Sequence, residues 1–294
     1  MPSRGFAMTF RSILRNSSEA RAAACFLAPS VCGVILFVLW PVCETVRRSF
    51  TDARGASFQG LANYESVLGN SAFRLAAANT ARFLCICMPL LLAGSLALAL
   101  LVRAVRRGAR AFRTLYLLPM AVPVASIAFL WNVLFHENGL CSRVLQACGA
   151  QPVDFMGTGA AFWVLIGTYL WKNSGYDMIL WIAGLDGIDP GYYEAAAVDG
   201  AGTWQMFRRI TLPALRSTLC LTAVLSLINS FKVFREAYLV AGAHPHESMY
   251  LLQHLFNNWF EALDMGRLTA AAVLLALALL IVLAILLRLG REDA

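Results

Sequence analysis

Charged residues are scarce in this 294-residue sequence. Only 14% of its residues are Asp, Glu, Lys or Arg, whereas a typical soluble domain has about 25%. Hydrophobic residues make up 59%, a composition that excludes an ordinary soluble fold. Regular alternation of polar and apolar residues is also missing, which excludes a transmembrane β-barrel. Segments that cross lipid must therefore be α-helices, because each backbone amide needs a partner inside its own segment.

Lysine is almost absent, with only Lys172 and Lys232 in the chain. Neither belongs to a nucleotide-binding G-x-x-x-x-G-K-[ST] loop, so the chain cannot hydrolyse ATP by that route. The H-E-x-x-H and G-x-S-x-G motifs are also missing, and we expect no enzyme activity. The net charge of +7 is accounted for by membrane topology and anionic lipid headgroups, without nucleic acid.

Six apolar stretches are long enough, or nearly so, to cross a membrane, which takes about 20 residues. They lie near residues 22–43, 77–102, 113–135, 161–183, 212–232 and 267–289. The sequence thus predicts an all-α integral membrane protein with six transmembrane helices. The first twenty residues lack an apolar core, so we expect no cleavable signal peptide and a first helix that stays as an anchor.

Basic residues between the spans indicate orientation, because cytoplasmic loops carry an excess of Arg and Lys. The second loop holds five arginines and no acid: Arg103, Arg106, Arg107, Arg110 and Arg113. The loop at 136–160 has only Arg143. We therefore expect the second loop and both termini to be cytoplasmic. The first outer loop disagrees, since it carries four arginines as well as three acids.

One compact motif, IDPGYYEAAAVDGAGTWQMFRRITLP, separates the fourth and fifth spans. Asp189 and Pro190 predict the start of a short helix that runs through Glu194. Gly200 and Gly202 should end it. We expect Thr203 to cap a second helix over 204–209, before Pro213 opens the next span. On physical grounds alone, an interfacial pair of amphipathic helices is an equally good interpretation.

This motif resembles the EAA loop of permease subunits in binding-protein-dependent ABC importers. The matching residues are Glu194, Ala195, Ala196, Asp199, Gly200, Ala201, Ile210, Leu212 and Pro213. The resemblance extends over about residues 26–289 and points to the carbohydrate-uptake branch. It implies a type I importer permease fold in the bacterial cytoplasmic membrane. The implied organisation is a cytoplasmic segment 1–21, a six-helix domain 22–289 with coupling loop 189–213, and a tail 290–294.

The resemblance also implies what the chain does and with which partners. It would form half of the path for a sugar or sugar-like solute, beside a second homologous permease. An extracytoplasmic binding protein would deliver the solute, and an ABC ATPase dimer would bind ATP and Mg, leaving this chain without cofactor or metal. Glu194 and Gly200 would couple the loop to the ATPase. Another solute such as glycerol phosphate, a homodimer, and an ATP-independent channel or scaffold remain alternatives.

Polar residues inside predicted spans are candidates for the substrate path, because polar groups at membrane depth are costly. The candidates are Trp171, Asn173, Tyr176, Ser226, Asn229 and Ser230. The first three interrupt the fourth span, where Gly175 could loosen the helix. The last three share one helical face with Val233. In maltose-transporter permeases the similar stretch lines the sugar pocket. Hydrogen bonding between helices is the alternative role.

The loops on the outer side carry cysteines and histidines. Cys141 and Cys148 share one loop and would form a disulfide only if their backbones approach closely. His244, His246 and His254 lie beside Glu247, but a solvated loop explains them with fewer demands than a metal site. Four tryptophans are expected near the membrane interfaces: Trp40, Trp131, Trp163 and Trp181.

Overall fold

Helices joined by short connections make up the structure, a computed structural model that describes residues 17–105 and 108–291. In these ranges strand pairing is limited to one isolated antiparallel bridge between Thr51 and Phe58, which confirms the all-α prediction. Most of the predicted segment 1–21, residues 292–294 of the predicted tail, and Arg106 and Arg107 lie outside the described residues.

The described chain divides into two compact units, the first formed by 17–66 with Asp264–Leu274. Its first helices are α1 (Ser17–Val34), a π-helical segment (Ile35–Leu39), α2 (Trp40–Ser49) and α3 (Ala62–Gly69), which begins here. The Asn63 amide joins α3 to the preceding loop, since its Nδ2 donates to the carbonyls of Ser49 (3.0 Å) and Thr51 (2.7 Å).

The second unit comprises Val67–Leu263 and 275–291. Its longer helices are α4 (Ser71–Ala104), α5 (Ala109–Ala121), α6 (Val124–Phe135), α7 (Leu140–Ala147) and α8 (Ala160–Asp186). The next helices are α9 (Pro190–Val198), α10 (Thr203–Met206), a π-helical segment (Phe207–Thr211) and α11 (Leu212–Ala214). The last are α12 (Arg216–Ser230), α13 (Val233–Ala241), a 3₁₀ turn (Glu247–Met249) and α14 (Leu252–Glu261). Helix α15 (Met265–Arg291) begins in the first unit and ends in the second.

Four or five segments of the described chain are long and apolar enough to cross a membrane. Four are Ala23–Ser49, Ser71–Ala104, Arg216–Ala241 and Met265–Arg288. The fifth would be the pair Ala109–Ala121 and Val124–Ala147, which is bent by 91°. The predicted single helix at 113–135 was therefore wrong. Pro123 lies at the break, and proline disfavours helical backbone in the residue before it.

The predicted fourth span is present as α8 but is not one of these apolar segments. Its polar residues lower its hydropathy without interrupting the helix, so the expected loosening at Gly175 was also wrong. A Cβ atom at Gly175 would lie 1.9 Å from the carbonyl oxygen of Tyr116. Glycine at this position therefore lets α8 and α5 pack closely.

Two buried apolar clusters hold the second unit together around α8. One joins α8 to α4, α13 and the 3₁₀ turn through Phe83, Phe162, Tyr169, Val233 and Met249, among other residues. The other packs the carboxyl-terminal half of α8 against α4 and the start of α12. Trp181 belongs to this second cluster, is 2% exposed, and donates its indole N–H to Ser95 Oγ at 2.9 Å. It is therefore a packing residue, and its predicted position near a membrane interface stays a prediction.

Candidate functional site

The loop between α8 and α12 begins as its sequence predicts. Asp189 is the N-cap of α9, and its Oδ1 accepts a hydrogen bond from the Gly191 amide at 2.9 Å. Pro190 occupies the first helical position, where its missing N–H leaves no helical hydrogen bond unmade. Both predictions about this helix start are confirmed.

The Asp199-Gly200-Ala201 segment forms the cap that ends α9. The amide of Ala201 donates to Ala196 O at 2.9 Å, and the amide of Gly200 donates to Ala197 O at 3.1 Å. These are the two hydrogen bonds of a Schellman motif, which needs a left-handed residue after the cap. Gly200 supplies it with φ +79°. The central glycine of the sequence motif is thus explained by backbone geometry.

The second half of the loop differs from the prediction. Gly202 is the N-cap of α10 and Thr203 is its first residue, so Thr203 does not cap the helix. Pro213 lies within α11, and α12 begins at Arg216 after a break at Leu215. The loop therefore leads into the next span through a π-helical turn and a further short helix.

One side of the loop is anchored and the other is exposed. Tyr193 OH and Thr211 Oγ1 are 2.9 Å apart, which links α9 to the end of the π-helical turn. Tyr193 and Ile210 also pack on the apolar cluster that contains Trp181. On the free side, Val198 is 88% exposed and Trp204 is 71% exposed. Large apolar side chains held in this way on an exposed surface indicate a contact with a protein or with the membrane.

A cavity of about 180 Å³ lies where α5, α8, α12 and α13 meet. It is lined by Met120, Thr168, Tyr169, Lys172, Asn173, Asn229, Lys232, Val233, Arg235 and Glu236. Lys172 and Glu236 form an ion pair across it, from α8 to α13. Glu236 is 4% exposed, and its second carboxylate oxygen, Oε2, is buried without a hydrogen-bond partner in the described chain.

The structure brings two of the six predicted path residues, Asn173 and Asn229, to this cavity. Ser226 and Ser230 are buried: Ser226 Oγ donates to Asp177 Oδ2 at 2.6 Å, and Ser230 Oγ donates to Leu227 O at 2.6 Å. Their hydroxyls are therefore used in packing.

The remaining two path residues lie outside the cavity lining. Trp171 is 40% exposed and its ring centroid is 5.7 Å from that of Trp131, while Tyr176 is half-buried. Val233 is not on the same helix as the two serines, since α12 ends at Ser230 and α13 begins at Val233. The roles of these six residues in solute passage stay predictions.

The cavity charges at Arg235 and Glu236 were missed in the sequence, and Lys172 and Lys232 were noted without a role. The signal available was chemical. Lys172, Lys232 and Glu236 lie in or directly after apolar helices. Ionisable groups at such positions are candidates for a functional site. The sequence could not show that Lys172 and Glu236 form an ion pair, because they lie on separate helices.

Groups of three or more potential metal ligands are absent from the described residues. His254 is fully buried, and its Nδ1 accepts from the Leu251 amide at 3.2 Å. Burial lowers the pKa of His254 to about 4. The eight cysteines are free. Cys141 and Cys148 stand seven residues apart on α7 and at its cap, roughly 10 Å along the helix axis, which is too far for the disulfide left open above.

Comparison with known proteins shows the family of this chain. Residues 90–291 match the family described as "Binding-protein-dependent transport system inner membrane component". The trehalose/maltose transport system permease protein MalF of Thermococcus litoralis is 29% identical over 279 residues, covering 93% of this chain and 95% of the relative. The sn-glycerol-3-phosphate transport system permease protein UgpA of Salmonella choleraesuis is 30% identical over 264 residues, covering 87% and 89%.

A solved structure has the same fold. It is a bacterial alginate ABC transporter in complex with an alginate pentasaccharide-bound periplasmic protein. Its matching chain has a TM-score of 0.81 at 21% identity, covering 96% of this chain and 97% of that one. With the family model matched over more than half of its length, this chain belongs to the inner membrane components of binding-protein-dependent transport systems.

Proposed function

We propose that this chain is one of two permease subunits of an ABC importer and forms half of the path of a sugar or sugar-like solute. The observation that carries the proposal is the loop from Asp189 to Pro213. Its base is anchored to the apolar cluster around Trp181, and its free side exposes Val198 and Trp204. In this proposal the loop transmits the movement of a partner protein to the helices behind it.

In this proposal the partner that binds this loop is an ABC ATPase. The chain has no nucleotide-binding loop of its own, so the energy for transport comes from a separate ATPase pair that binds ATP and Mg. Glu194 is exposed in the middle of α9, between Pro190 and Val198, where a partner protein can reach it. Gly200 sets the bend between α9 and α10. In our proposal these two residues couple ATPase closure to helix movement.

The proposed topology has six spans with both termini in the cytoplasm, in a bacterial cytoplasmic membrane. Four apolar segments, the bent pair α5 and α6, and α8 make six. Helix α8 has 27 residues, about 40 Å at 1.5 Å per residue, which is long enough to cross. It packs against α4, α5, α12 and α13, so its polar residues face protein and not lipid.

The remaining partners follow from the same proposal. A second, homologous permease would supply the other half of the path, and an extracytoplasmic binding protein would deliver the solute. Trehalose/maltose, sn-glycerol-3-phosphate and alginate systems are among the relatives. A sugar is therefore our first choice, and glycerol phosphate is the alternative.

Photo-crosslinking tests the proposal at the loop. We would place p-benzoyl-phenylalanine at Ala197, which is exposed on α9, and illuminate membranes that contain co-expressed candidate ATPases. The matched control carries the same group at Ala150, exposed in the loop predicted to lie outside. We expect a nucleotide-dependent adduct with an ATPase from position 197 alone. Absence of any ATPase adduct in a transporting strain would favour a channel or scaffold.

A further inference from the structure

Positive charge is concentrated in the cavity between α8, α12 and α13. Both lysines of the chain, Lys172 and Lys232, line it together with Arg235. Glu236 is the one acid in the lining. Since the Lys172–Glu236 ion pair is neutral overall, Lys232 and Arg235 give the cavity its net positive charge. Charged side chains within a membrane-spanning segment cost free energy, which makes these residues candidates for a function.

Both of these cations have donors free for a ligand. Lys232 lies in the break between α12 and α13, and its Nζ donates to Asn229 Oδ1 at 2.7 Å. An ammonium group has three N–H donors, so two remain. Arg235 is exposed one turn further. Its backbone amide donates to Lys232 O at 3.2 Å, while its guanidinium has no hydrogen bond or ion pair within the described residues 17–105 and 108–291. Its guanidinium offers five donors, in a fork that suits carboxylate and phosphate groups.

Glu236 supplies the opposite chemistry in the same cavity. Its Oε1 is taken by Lys172, and its Oε2 is buried with no donor from the described residues. A buried carboxylate oxygen without a hydrogen bond costs free energy, which a ligand O–H would recover. The cavity thus combines two free cations with one free acceptor. At about 180 Å³ it is smaller than the roughly 300–1,000 Å³ of drug-sized sites, which leaves room for one sugar unit of a longer solute.

We propose that this cavity selects an anionic sugar-like solute. Lys232 and Arg235 hold its carboxylate or phosphate group, and a hydroxyl group of the solute donates to Glu236 Oε2. The inference rests on the proposed import function and specifies the class of its substrate.

Binding to the complete transporter in nanodiscs, without the binding protein, reads the selectivity of this cavity. The probe is radiolabelled digalacturonate, and the competitors are glycerol 3-phosphate and neutral maltose, which separate carboxylate, phosphate and uncharged ligands. We expect the probe to bind saturably, more weakly at high salt, and to be displaced poorly by maltose. Lys232→Gln and Arg235→Gln should each weaken its binding roughly tenfold. Arg74→Gln, which alters an exposed arginine outside the cavity lining, should leave binding unchanged.

Two results would overturn the inference. One is no saturable probe binding. The other is that maltose displaces the probe as well as glycerol 3-phosphate does, while neither salt nor either charge variant changes binding. The effect of salt on the wild type can be measured even if a variant misfolds. In both cases the Ala197 crosslink separates the conclusions. An ATPase adduct would keep the import function while the anionic class is rejected, and its absence would remove both.

Discussion

At the scale of single residues, the cavity shows which part of the chemistry a sequence reveals. Asn173 and Asn229 could be selected because polar residues in apolar helices are conspicuous. Glu236 could not, because its meaning depends on Lys172, 64 residues earlier. Ser226 and Ser230 look like path residues by spacing, yet their hydroxyls are taken by Asp177 and by the backbone. Residue type indicates polarity, whereas only packing decides which polar atoms remain free.

His254 gives the residue scale a prediction about pH. Its pKa is lowered to about 4 by burial, while an exposed histidine titrates near 6.5. In the unfolded chain His254 therefore binds a proton below about pH 6.5, whereas in the folded chain it does so only below about pH 4. The free energy of unfolding should not depend on this histidine above about pH 6.5. It should fall by about 3 kcal/mol in total as the pH is lowered from about 6.5 through 4.

His254→Gln tests this assignment, because glutamine at the third helical position can still accept from the Leu251 amide without taking a charge. We expect the melting temperature of the variant to depend less on pH between 6.5 and 4 than that of the wild type. His244→Gln alters an exposed histidine and should behave as the wild type does. Equal pH profiles for all three proteins would contradict the assignment.

At the scale of helices, apolar length predicted most of the architecture. Hydropathy could not reveal the 91° bend between α5 and α6, because both sides of Pro123 are apolar and only the backbone direction changes. In the loop, Asp189 and Gly200 fixed the ends of α9 through local hydrogen bonds, so sequence reasoning succeeded there. It failed at Thr203 and Pro213, where a π-helical turn continues the chain and local signals no longer decide.

Gly175 provides a prediction about helix packing. A methyl group there would meet the Tyr116 carbonyl oxygen at 1.9 Å, so Gly175→Ala must separate α8 from α5. Overpacking of this kind costs about 1–3 kcal/mol, and we expect a lower melting temperature in detergent. Gly167→Ala is the matched control on the same helix, with nothing within 4 Å of the added atom. It should be neutral or slightly stabilising, and equal melting of the two variants would show that the contact is not tight.

At the scale of the whole molecule, the loop 189–213 joins the apolar cluster around Trp181 to an exposed surface. The order of its residues indicates the family, and the structure supplies the reason for its central glycine. The cavity of α8, α12 and α13 is separate from this loop and carries the polar chemistry. Coupling in our account runs from the ATPase through the bend at Gly200 to the helices that enclose the solute.

The most direct measurement of that coupling is ATP-driven uptake of radiolabelled sugar by vesicles containing the complete transporter. The comparison is wild type against Gly200→Pro, since proline fixes φ near −65° and cannot adopt the +79° of the Schellman bend. Gly202→Ala, at a glycine with φ −75° and open space around it, is the control. Our account predicts uptake that requires ATP, survives Gly202→Ala and is lost in Gly200→Pro while the complex stays assembled. ATP-independent uptake, or full uptake by Gly200→Pro, would contradict it.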